Sequence, residues 1–290
     1  MQCILETVQA EVTDFELWPD ESLNYSDRGL SLFPMGTSLL AITLSLLEKN
    51  ADYDDLTTAC KPIWKAINAV TESSNKRLAE YAEWIGEAEK MQSTGKDLNE
   101  VEEIYVDRVD SFLHDESFIF HTSRGGLAWS LILVVSKLMS KDFQLAADTL
   151  NKLSPTFGKL KWKQKVVEIY SLGPKVANEP WAMCVRAASN YVRHSNEWRV
   201  KTVEKKTVNG KEELVKITDP LVNQLPTDQR PSAATIISIG ISEEDLLTRS
   251  GDQSYKVCEI LHLLDENALR DFFCDWNDAL VNYMKKMNGN

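Results

Sequence analysis

Apolar residues return every third or fourth position along most of this chain, and that period commits it to helices. Ile63, Ile67, Val70, Leu78, Tyr81, Trp84, Ile85 and Ala88 form one such series, running to about Met91. Pro62 marks a kink or fresh start before it, and Ser73–Ser74 a candidate break. Thr37 or Ser38 is placed to cap an earlier helix, Asp52 the next, and Gly95 to end the long one. A stripe of Val101, Ile104, Tyr105, Val109 and Phe112 predicts another helix from Asp97. Gly125–Gly126 then interrupt the pattern before a core helix, Leu127–Met139, and a further helix is expected over Phe143–Leu153.

A Ser154–Pro155 turn precedes a basic helix from Lys159 to Tyr170, closed by Gly173–Pro174. Pro180 suits the first turn of the next helix, Trp181 to about Trp198, because proline's missing N–H has no partner there anyway. After Arg199 the period changes. Val200–Val208 and Glu212–Ile217 flank Asn209-Gly210, a strong hairpin signal. Pro220, Pro226 and Pro231 read as a loop, and Thr235–Ile241 as a short β-like run. Ser242 opens a capping-box sequence, and a final amphipathic helix starts at Asp265. The expected fold class is all-α, a helical bundle with a small β-hairpin excursion. Residues 1–198 form the helical body, 199–241 the hairpin and Pro-containing excursion, and 242–290 the C-terminal helices that pack on the body.

Charge narrows the function classes. The formal net charge is −12, which argues against simple coating of nucleic acid, yet it is unevenly spread. Lys152 to Lys206 holds twelve Lys/Arg and four Asp/Glu, a net of +8, against −20 for the rest. Such an island is either an anion-binding surface or a block that docks on the chain's own acidic helices. Lys159, Lys161, Lys163, Lys165 and Arg199 are its candidate nucleic-acid contacts. The N-terminus lacks a basic, apolar leader, and the most apolar run, Leu127–Met139, is shorter than the about 20 residues a bilayer requires. Five widely spaced cysteines without a CxxC pair favour a reducing compartment, so a cytoplasmic location without membrane is expected. Phosphate-loop, GxGxxG, HExxH, EF-hand and GxSxG motifs are absent, and neither a metal nor a cofactor is implied. His114-Asp115-Glu116 with His121 reads as a helix-ending turn rather than a ligand set.

The chemistry concentrates on the helix after Pro180. Arg186, Asn190 and His194 follow one another at four-residue steps, and Glu197 comes three later, so one helix face carries a fixed cation, an amide, an imidazole and a carboxylate. Arg193 is displaced from His194 by about 100°. That set suits phosphate-ester chemistry. Arg186 or Arg193 would hold the phosphate. His194 carries the side-chain type that changes charge nearest neutral pH and would exchange protons. Asn190 would orient substrate and Glu197 the imidazole. The bland alternative is a solvated face of local ion pairs, with Trp181 and Trp198 as core anchors.

Asn190-Tyr191-Val192-Arg193-His194 with Glu197-Trp198 resembles the signature region of HEPN domains, the higher eukaryote and prokaryote nucleotide-binding helical bundles. Many of these are metal-independent ribonucleases of toxin, antiviral and CRISPR-associated systems. The resemblance implies RNA as partner, a homodimer that joins two motifs, and cleavage through the ribose 2′-hydroxyl. The Asn-x-x-x-His part is Asn190 and His194, and Ser189 stands where the family has arginine. A non-catalytic helical subunit of a larger assembly is the alternative from another class.

Overall fold

The computed structural model describes residues 35–50, 54–95, 111–194, 197–198, 200, 203–208, 211–216, 220–247 and 253–288. The protein is all-α with small antiparallel strand pairs. The helices are α1 (Met35–Asn50), α2 (Asp54–Ser93), α3 (Ser111–Leu153), α4 (Pro155–Gly158), α5 (Trp162–Tyr170) and α6 (Trp181–His194), then α7 (Arg230–Ser238), α8 (Glu243–Leu247), α9 (Ser254–Ile260) and α10 (Glu266–Asn288). Strands β1 (Lys175–Val176) and β2 (Glu179–Pro180) sit just before α6; β3 (Val203–Val208) and β4 (Lys211–Lys216) follow it.

Helix α3 is the hub, packing against α1, α2, α4, α6, α9 and α10. It is continuous where a break was expected at Gly125–Gly126, and it absorbs the helix expected separately over Phe143–Leu153. Two glycines cost roughly 1 kcal/mol each relative to alanine. Burial of Leu127, Leu131, Ile132, Val135 and Met139 immediately beyond them outweighs that, each side chain contributing about 1.5–3 kcal/mol. His114, Asp115, Glu116 and His121 lie within this helix rather than in a turn, their side chains outside the described ones.

Packing likewise overrides local signals in α2, which runs through Pro62 and Ser73–Ser74 without a break. The proline removes one helical hydrogen bond, a loss of about 3 kcal/mol. Cys60, Ile63, Trp64 and Ile67 around it are buried, and the Trp64 indole N–H donates to the Leu263 carbonyl at 2.9 Å.

The largest correction concerns Thr235–Ile241. The β-branched run Thr235-Ile236-Ile237 belongs to helix α7, not to a strand. Pro231 sits in its first turn, Ala233 and Ile236 are buried three apart, and the helix packs on α6. Gly240, at φ +106°, ends it. The expected loop contributes Leu225 and Ala233 to the core, and the expected β-like run Ile236, Ile239 and Ile241.

Where a Ser154–Pro155 turn was expected, Ser154 caps the short helix α4 by accepting from the Phe157 N–H. Ser242 accepts from the Asp245 N–H as its capping sequence predicts, and Asp265, at the expected start of the last helix, accepts from Asn267 and Ala268. Pairing of Val208 with Lys211 leaves Asn209-Gly210 between the strands. The helix expected from Asp97 lies outside the described residues over 97–110. Among the described residues no helix is long and apolar enough to cross a membrane, and Cys60, Cys184, Cys258 and Cys274 form no disulfide with one another.

Candidate functional site

Helix α6 is held from its N-terminal end. Gly173 adopts φ +80° against α10, where a Cβ would stand 2.7 Å from the Trp276 Cα, so no side chain fits. The chain then makes the two-residue ladder Lys175↔Pro180 and Val176↔Glu179, a small hairpin that the sequence did not announce. Its turn residues, Ala177 at φ +49° and Asn178 at φ +71°, are left-handed, as the tightest hairpins require. Trp181 is fully buried, donates its indole N–H to the Leu261 carbonyl at 3.0 Å, and lies 5.6 Å from the Phe272 ring. Ala182, Cys184, Val185, Ala187, Ala188, Tyr191 and Val192 complete the inward face. The outward stripe is Met183, Arg186, Asn190, Arg193 and His194.

The helix ends at His194, one turn short of the expected Trp198. Trp198 is nonetheless buried, its ring 5.3 Å from that of Tyr191. Between them the chain brings Glu197 back to the helix end. His194 Nδ1 and Glu197 Oε1 are 3.1 Å apart, and the Gln229 side-chain amide donates to Glu197 Oε2 at 2.5 Å. The hydrogen bond from His194, then that from Gln229, holds the Glu197 carboxyl below the usual carboxylate range. With Nδ1–H donating to Glu197, the imidazole keeps Nε2 as its other, proton-accepting nitrogen.

Arg186 and Arg193 share a face at a spacing of seven, two turns apart. The Arg186 guanidinium sits 5.5 Å from the centre of the Tyr170 ring. Burial pushes the Tyr170 phenol up, while a hydrogen bond from Ser140 and the Arg186 charge oppose the rise. Arg193 is exposed as a residue, with its guanidinium partly desolvated. That desolvation, followed by the like charge of Arg186, lowers its proton affinity. No salt bridge to a carboxylate is formed by either arginine among the described residues. Two guanidiniums on one helix face, neither paired with a carboxylate among the described residues, attract an anion.

Asn190 is committed elsewhere: its amide donates to Ser232 Oγ at 2.9 Å and ties α6 to α7. Ser189, at the position where the resemblance places an arginine, is 1% exposed and its hydroxyl has no hydrogen-bond partner among the described residues. That position faces the interior, so the two surface arginines lie on other azimuths.

The basic helix α5 lies against α6. Lys161 is its N-cap, and Lys159, Lys161 and Lys163 are exposed. Lys165 is used internally, donating to Asn151 Oδ1 at 2.7 Å and lying over the Phe157 ring. Arg199 lies outside the described residues. Gln229, Ser232 and Tyr170 are the site neighbours that sequence reasoning missed. Gln229 and Ser232 come from the segment expected to be a loop, and Tyr170 stands in the sequence reading only as the end of the basic helix. Among the described residues no group of three or more His, Cys, Asp or Glu is arranged to hold a metal ion.

No family model, curated protein or solved structure matches this chain.

Proposed function

We propose that the chain is a HEPN-like, RNA-binding protein that cleaves RNA without a metal, in a bacterial defence or toxin setting. The observation that carries this reading is the His194–Glu197–Gln229 hydrogen-bond chain at the end of the helix that carries Arg186 and Arg193, neither of which has a carboxylate partner among the described residues. Arg186 and Arg193 bind the phosphodiester and offset the charge that grows on its oxygens. Glu197 fixes the imidazole, and His194 Nε2 takes the proton of a ribose 2′-hydroxyl as that oxygen attacks the adjacent phosphorus. The 5′-oxygen leaves with a proton from the imidazole of a second copy, and a cyclic phosphate remains. The active form is therefore a homodimer.

The test is cleavage of single-stranded RNA by purified protein in EDTA, beside His194→Ala. Cleavage by the wild type with a loss of about 100-fold or more in the variant supports the reading. Equal cleavage by both, or none by either across varied RNAs, overturns catalysis. RNA binding that weakens steeply with salt would keep the binding half of the proposal.

A non-catalytic helical subunit is the second reading, favoured by Ile42 and Leu46, which are 58% and 43% exposed on α1. On that reading the protein retains no RNA at low salt.

A further inference from the structure

Trp162 opens helix α5 and is 54% exposed, an unusual state for the largest apolar side chain, in a protein that fully buries Trp181, Trp198 and Trp276. It is not loose. Its ring meets that of buried Phe143 edge to face, with centroids 5.2 Å apart and an interplanar angle of 86°. Phe143 in turn stands 5.2 Å from Tyr170, and Tyr170 5.5 Å from the Arg186 guanidinium. Three short steps across packed rings therefore connect an exposed indole with the arginine pair.

The charged residues nearest Trp162 in sequence are all basic. Lys159, Lys161 and Lys163 are exposed on either side of it in sequence, and none forms a salt bridge among the described residues. Glu168 is the one acid on α5; it lies six residues on, near the far end of the helix, and accepts from the Tyr283 hydroxyl at 3.3 Å. An exposed aromatic ring packed on a buried one and bordered in sequence by cations, on a helix that lies against α6, matches what unpaired nucleic acid requires. Bases stack on the ring while the backbone follows the positive charge. A neutral protein surface would suit the ring but leave the lysines uncompensated.

We propose that Trp162, with Lys159, Lys161 and Lys163, is a base-stacking subsite for single-stranded RNA leading to the Arg186–Arg193 face. This rests on the RNA reading given above and adds to it the choice of strand: an unpaired nucleotide sits on α5 while the phosphate a few nucleotides away meets α6. A duplex hides its base faces and gains nothing from the indole.

The experiment is fluorescence anisotropy of a labelled single-stranded oligoribonucleotide, and of a duplex of the same length, with wild type, Trp162→Ala and Trp162→Phe. Trp162→Ala weakens single-strand binding by about tenfold or more and leaves duplex binding unchanged. Trp162→Phe, which keeps a stacking face and the contact with Phe143, retains most of the affinity. Wild type that binds the single strand while Trp162→Ala binds it equally well overturns the subsite and leaves the RNA reading standing. Wild type that binds neither RNA overturns the RNA reading and the subsite with it.

Discussion

The two ends of helix α6 are built on opposite principles. At the N-terminal end the anchoring contacts are apolar or to backbone: Trp181 is enclosed, its indole N–H meets a carbonyl, and Gly173 admits α10 at a distance no side chain allows. At the C-terminal end the contacts are polar and partly wet, with the His194 and Glu197 side chains 42% and 56% exposed. One end fixes where the helix lies; the other fixes how an imidazole points. Substitutions should therefore separate stability from chemistry along fourteen residues of one element.

Trp181→Ala should be the most damaging change, lowering stability by about 3–5 kcal/mol in urea unfolding, because it opens a cavity and orphans the Leu261 carbonyl. Gly173→Ala should follow at about 2–4 kcal/mol, from a left-handed backbone and a contact that forces α10 to move. At the other end, His194→Ala should alter stability by no more than about 0.5 kcal/mol while removing cleavage. A large loss of stability there would erase the contrast between the two ends. Ala177→Gly should raise stability by up to about 1 kcal/mol, because glycine adopts the left-handed turn without steric cost.

The smallest effect is a titration. The Glu197 carboxyl is depressed in the folded protein, so the stability it contributes is present above the unfolded carboxylate value of about 4.3 and is lost as pH falls through the lower folded value. Thermal midpoints of wild type and Glu197→Gln should therefore differ slightly at neutral pH and converge in acid. A gap that persists at low pH would show that the carboxylate charge contributes nothing.

How much was legible follows the same division. Helix α10 could be read from its apolar spacing, because Leu269, Phe273, Trp276, Leu280 and Met284 are a buried stripe with nothing opposing it. The row on α6 was legible for the same reason: spacing fixes which side chains share a face. Spacing is silent on partners from elsewhere in the chain. Asn190 read as a substrate contact because Ser232 lay in a segment taken for a loop and strand. Gln229 carries no periodic signal at all, and its role depends on a turn that only tertiary packing places. Pro62 and Gly125–Gly126 misled for the opposite reason, since their local cost is real but small beside the burial around them.

The relay from Gln229 to Glu197 spans 32 residues of sequence, and this sets an order of assembly during synthesis. A nascent chain that has emerged only as far as Trp198 already carries both arginines, the imidazole and its carboxylate. The amide that anchors that carboxylate is still inside the ribosome, as is the Ser232 hydroxyl that fastens α6 to α7. Helix α6 is thus made with its C-terminal end unfinished, its two side-chain ties to α7 and the residue before it still to come. The His194–Glu197–Gln229 arrangement is completed only once Gln229 has come clear of the translation machinery.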